Sequence, residues 1–102
     1  MTTVTIPTVT AMEAQAEASL FLLERLPDRI SASHPSLDEA GQVWHVPVIL
    51  AYPGLGVLGQ VGEIIVGATK AQVISTTPPE EMLTAARALA SQHRDAIEAP
   101  LS

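Results

Sequence analysis

Apolar positions recur at helical spacing over residues 11–26, AMEAQAEASLFLLERL. Met12, Ala16, Leu20, Leu23 and Leu26 fall on one stripe, which predicts a helix burying that side. Thr10 and Glu13 spell the T-x-x-E capping box, which satisfies two free N–H donors at a helix start. Phe21 and Leu22 widen the apolar face beyond what one sheet needs. Pro27 ends the helix.

The period then shortens. DRISASHPSL, 28–37, predicts a short irregular strand with Ile30, Ala32 and His34 on one face and Pro35 marking an edge. Asp38-Glu39-Ala40-Gly41 predicts a turn. QVWHVPVILAY, 42–52, is the strongest strand pattern, rich in β-branched and aromatic residues. Trp44, Val46, Val48, Leu50 and Tyr52 share one face; His45, Pro47, Ile49 and Ala51 share the other. Neither face is polar, so both are expected to be covered. Pro47 has no N–H for the ladder, so a bulge or a free edge is expected near it.

Residues 53–60, PGLGVLGQ, read as a glycine-rich connection. VGEIIVG, 61–67, predicts the next strand. A turn at 68–71 and a last short strand from Gln72 to Ser75 follow. Thr77 as N-cap, Pro78 at the first helical position and Glu80 closing the box predict a second helix, reaching about Glu98. Its stripe is Met82, Leu83, Ala86, Leu89, Ala90, His93 and Ile97, and Ala99-Pro100 stops it. Residues 1–10 alternate Thr with Val4, Ile6 and Val9. They read as a tail, or as an edge strand with Val4 and Ile6 on one face. Helix, three or four antiparallel strands, helix is an α+β order, with the C-terminal helix packed on the sheet. Residues 11–99 form one domain.

Composition narrows the function classes. The chain has 102 residues, 47% of them hydrophobic, 16% charged and 3% aromatic. That is too apolar for disorder. The core must come from aliphatic residues, since Phe21, Trp44 and Tyr52 are the only aromatics. Net charge is −6, with Arg25, Arg29, Lys70, Arg87 and Arg94 scattered along the chain. No basic stripe offers itself to nucleic acid or to an anionic membrane. Cysteine is absent, which excludes disulfides and thiolate metal sites. The first residues, MTTVTIPTVT, lack the basic start and apolar run of a signal peptide, so a cytoplasmic setting is expected.

The stretch Ile65-Val66-Gly67-Ala68-Thr69-Lys70-Ala71-Gln72-Val73-Ile74, following a helix and strands, resembles the PepSY-type domains. There a strand of the form V-D-A-x-T-G-x-V ends in a tight turn. Gly67 stands where that pattern has Asp, and the turn glycine is missing. The resemblance covers about residues 11–75 and leaves the second helix without a counterpart. It implies a small binding or inhibitory module with no catalytic residues to carry over.

Gly54-x-Gly56-x-x-Gly59 spells a dinucleotide-binding fingerprint, but that fingerprint needs a helix to start there and meet the pyrophosphate. A strand pattern follows instead, and no acidic residue stands about twenty positions on to hold a ribose. A hairpin loop is the plainer reading, and no cofactor is expected. His34, His45 and His93 lack metal-ligand spacing, so no metal is expected. Glu63 is the one acidic residue in the strand region. If Tyr52 pairs with Val61, Glu63 faces Leu50 on the Trp44 side; a one-residue slip reverses this. No serine sits in a nucleophile motif.

Trp44, His45, Tyr52, Gly54, Gly56 and Glu63 are therefore the candidate ligand- or partner-binding residues, with no catalytic set among them. The surplus of apolar surface points to a non-catalytic, self-associating binding or regulatory domain. The expected partner is a second copy, meeting through the sheet or the first helix. Another protein is a further option. The alternative is a small-molecule binder or minor enzyme with a pocket near the glycine-rich loop.

Overall fold

A computed structural model describes residues 8–38, 40 and 42–98. Val4, Ile6, Glu39, Gly41 and the Ala99-Pro100 stop lie outside the described residues. The order is α1 (Ala11–Leu23), β1 (Ile30–Ala32), β2 (Ser36–Leu37), β3 (Val43–Tyr52), β4 (Gly56–Gly67), β5 (Val73–Thr76), α2 (Pro79–Gln92) and α3 (Arg94–Glu98). The fold is α+β, an antiparallel curled sheet with an N-terminal helix and a C-terminal helix packed against β4.

The capping box at α1 forms in full. The Glu13 N–H donates to Thr10 Oγ1 at 3.1 Å, and the Thr10 N–H donates to Glu13 Oε1 at 3.0 Å. The Thr10 backbone N–H, and after it the Thr10 hydroxyl, hold the Glu13 carboxyl below its ordinary pKa. The helix sits on the sheet by a different stripe from the predicted one. Ala14, Ala18 and Leu22 are buried, whereas Met12, Leu20 and Leu23 are 80%, 56% and 74% exposed. Small side chains at 14 and 18 let the helix backbone approach the sheet, which leucines would prevent. Leu20 and Leu23 of that stripe are left on the outside, while Leu26 packs on the core.

β3 is the spine of the sheet. On one side it pairs with β4 and on the other with β1 and β2. The edge strand is broken at Ser33–Pro35, opposite Pro47. The Ser33 N–H donates to the Pro47 carbonyl at 2.8 Å. N–H and C=O of one residue point the same way in an antiparallel ladder, so the missing donor of Pro47 faces this break. The predicted irregularity near Pro47 is thus in the neighbouring strand. The turn before β3 is organised by Asp38, whose carboxylate accepts from the Gln42 and Val43 N–H groups at 2.8 and 3.2 Å. His34 lies in the break and does not continue a strand face with Ile30 and Ala32.

The glycine-rich stretch is mostly strand. Only Pro53–Leu55 forms a turn, closed by the Leu55 N–H donating to the Tyr52 carbonyl at 3.1 Å. Pro53 followed by Gly54 at φ +81° fits a turn that needs a left-handed third residue. β4 therefore begins at Gly56, opposite Tyr52. Its register then slips twice: Gly62 and Gln60 pair with Val48 and Ile49, and Gly59 and Val57 pair with Leu50 and Ala51. Val61 and Leu58 are the extra residues, two β-bulges that curl the sheet. Val61 enters the core.

The second helix starts later than predicted. Thr77 does not cap it. Its hydroxyl accepts from the Glu63 N–H at 3.0 Å, and its own N–H donates to the Glu63 carbonyl at 2.9 Å, prolonging the β4–β5 pairing. Pro78 takes the cap position and Pro79 the first turn. The predicted single helix breaks at His93, and α3 follows. Met82 and Ala86 are buried, and Leu83, Leu89 and Ala90 pack on the same core, as the stripe predicts. That core also holds Val46, Val48, Leu50, Ile64 and Val66, so both helices cover one face of the sheet. No helix among the described residues is long and apolar enough to cross a membrane.

Candidate functional site

The structure distributes the six candidate residues over three places. Trp44 lies at one end of the core-facing side of β3. Its indole N–H donates to the Val9 carbonyl at 2.8 Å, and the Val9 N–H donates to the Ala68 carbonyl at 2.8 Å. The Thr8 hydroxyl adds a bond to the Thr69 carbonyl at 3.0 Å. Trp44 thus clamps the segment leading into α1, and Val9 is buried beneath it. A buried indole N–H requires a partner, and here a main-chain carbonyl supplies it.

His45 and Glu63 lie on the opposite face. Glu63 pairs with Pro47, not with Leu50, so the assumed Tyr52–Val61 register does not occur. The hairpin turn is too short for it, and β4 starts five residues earlier than assumed. The two bulges also matter for side. A single bulge would turn the Glu63 side chain into the core, and the second returns it to the open face. His45 Nδ1 and a Glu63 carboxylate oxygen stand 3.4 Å apart, both side chains about two-fifths exposed (39% and 44%). Around them on this face are Pro47, Ile49, Ala51, Ile65 and Val57, together with the polar Ser31, Ser36, Gln60 and Ser75 on the paired strands. None of the described helices packs over it. The expectation that both faces of β3 are covered holds for one face only within a single chain.

Tyr52 stands at the other end of the core-facing side. Gly54 and Gly56 shape the turn beyond it, and nothing lies within 4 Å of where a side chain would start at either. Two adjoining hollows meet at Tyr52. The outer one, about 310 Å³, is lined by Tyr52, Arg87, Ala90, Ser91, Arg94 and Ile97. The inner one, about 130 Å³, reaches Ile30, Leu50, Leu83 and Ala86, with Arg29 at its rim. The Arg29 guanidinium lies over the Tyr52 ring, 5.3 Å from its centre. The Arg29 carbonyl accepts from the Ala51 N–H at 3.0 Å, which fixes this edge beside Tyr52.

Sequence reasoning named Tyr52 here and missed the arginines. Arg87 and Arg94 stand 58 and 65 positions after Arg29, and only the closure of α2 and α3 over the hairpin end brings them to it. Elsewhere, no three His, Asp or Glu side chains gather into a metal-holding cluster among the described residues. Every buried side-chain polar atom among them has a hydrogen-bond partner. No protein-family model, curated protein or solved structure matches this chain.

Proposed function

We propose that this chain is a non-catalytic domain that acts by binding, and that its first partner is a second copy of itself across the open sheet face. The observation that carries this reading is the placement of both helices on one side. It leaves Pro47, Ile49, Ala51, Ile65 and Val57 on a face that no described element covers. That face carries His45 and Glu63 3.4 Å apart, so the Glu63 carboxylate keeps a polar neighbour when the face is covered.

A second copy fits such a face better than a charged partner does. An isologous contact needs only self-complementarity, and an apolar centre of Pro47, Ile49, Ala51 and Ile65 edged by Ser31, Ser36, Gln60 and Ser75 offers it. The acidic remainder of the surface is then turned outward, where net charge favours solubility. A PepSY-type relationship, proposed on residues 65–74 and on the helix-then-sheet order, agrees with a binding role.

Light scattering after size exclusion at micromolar concentration tests the reading. The chain is expected to run as a dimer. Ile49→Lys, at the middle of the open face, is expected to give a folded monomer. A wild-type monomer, or a variant dimer of undiminished affinity, would sink it.

A further inference from the structure

We propose that the groove floored by Tyr52 binds a small amphipathic carboxylate, its head held by Arg87 and Arg94 and its apolar body lodged against Ile30, Leu50 and Ala86. This goes beyond self-association and lies on the other side of the sheet from the open face.

The chain has five lysines and arginines against eleven acidic residues. Three of the five, Arg29, Arg87 and Arg94, line this one groove. Among the described residues no carboxylate lines it, and none of the three forms an ion pair with a carboxylate. Three like charges brought together repel one another, and an acidic chain had many counter-charges to offer. An anion between them relieves that repulsion.

Behind the charges lies an apolar hollow. The inner hollow is lined by Pro27, Ile30, Leu50, Leu83, Ala86 and Ala90. A bare inorganic anion would use the arginines and leave this apolar wall wet. A molecule with a short apolar body uses both. Ligand pockets run from roughly 300 to 1,000 Å³, and the outer hollow at about 310 Å³ stands at the low end. The ligand is therefore small.

The three arginines differ in what they are free to do. Arg29 is stacked over Tyr52 and walls the groove as a cation–π pair. Arg87 and Arg94 are exposed, with guanidinium donors free to fork onto a carboxylate. Seven residues apart across the α2–α3 break, they line the same outer hollow.

An NMR titration of the full chain with hexanoate tests this, with hexylammonium and inorganic phosphate as comparisons. It is run on wild type, Arg87→Glu and Lys70→Glu. Both variants change net charge by the same amount at exposed positions, and Lys70 is in the β4–β5 turn at the far end of the sheet. Hexanoate is expected to give saturable amide shifts at Tyr52, Leu83 and Ala90. Arg87→Glu is expected to weaken binding by about tenfold or more, the effect of losing one charge-assisted hydrogen bond. Lys70→Glu is expected to leave it within about twofold, as a distant screened charge should. Equal shifts with hexylammonium would mean an apolar hollow without charge recognition. Equal losses in the two variants would mean diffuse electrostatics. Phosphate binding as tightly as hexanoate would leave the apolar wall without a role. Any of these, or no saturable shift, overturns the proposal.

Discussion

At the scale of single residues, Trp44 shows how a side chain that attracts functional interest can be committed to the fold. An aromatic on an apolar strand invites a ligand reading, because indole presents a large face and one donor. Its donor is already used, on a carbonyl 35 positions away, and no local pattern announces that partner. Trp44→Phe keeps the ring packing and deletes the donor, leaving the Val9 carbonyl without its bond. The expected cost is about 1 kcal/mol for the lost bond, rising toward 3 if the carbonyl stays dry. Urea denaturation measures the loss, and amide exchange at Val9, whose N–H bonds Ala68, should quicken. Unchanged stability together with unchanged Val9 exchange would show that the clamp contributes nothing. Tyr52 behaves in the opposite way. It keeps one face for Arg29 and lines a groove, and its role depends on helix α2 rather than on its own strand.

At the scale of elements, packing against β4 turns on glycine. A side chain at Gly62 would start 2.6 Å from Met82 Cγ, 2.8 Å from its sulfur and 3.0 Å from Thr77 Cβ. Met82 is fully buried, so it has little room to retreat. Gly62→Ala should therefore destabilise by about 1–3 kcal/mol, the usual cost of overpacking. Met82→Ala alone should cost about 2–5 kcal/mol through its cavity. The double variant should be more stable than the sum of the two losses predicts, because the new methyl fills space that Met82 vacated. Strict additivity in denaturant melts would show that the two residues do not meet. Three of the elements were legible. Capping chemistry marked α1, β-branched and aromatic content marked β3, and the stripe marked the packed side of α2. What was not legible is how they are set against one another. A helix with apolar residues on more than one side gives no single direction, so α1 turned on Ala14, Ala18 and Leu22 and not on Met12, Leu20 and Leu23. The hairpin register depended on two bulges, and nothing in Val61 or Leu58 distinguishes a bulged residue from a regular one. Thr77 could cap a helix or extend a strand with the same hydroxyl, and the neighbouring Glu63 backbone decided it.

At the scale of the whole molecule, one core is shared by two helices and one sheet face, and two apolar surfaces are left over. One is the open sheet face. The other is the outer side of α1, where Met12, Leu20 and Leu23 are more than half exposed. They are not equivalent. The sheet face is broad, and its residues are half-shielded by neighbouring strands, so a partner completes a layer. The α1 ridge is narrow and bordered by Glu13, Glu17 and Glu24 on one flank. If the sheet face forms the dimer, the α1 ridge stays in water and limits solubility, since exposed apolar patches promote association. Replacing Leu20 by Lys and Leu23 by Glu removes the ridge while leaving net charge at −6. Any change in behaviour then reflects lost apolar surface rather than altered repulsion. Stability should move by less than about 0.5 kcal/mol per site, as for other exposed positions. The concentration at which turbidity appears on heating or salting should rise, and the dimer mass should be unchanged. Loss of the dimer in this double variant, with Ile49→Lys still dimeric, would transfer the interface from the sheet to the first helix.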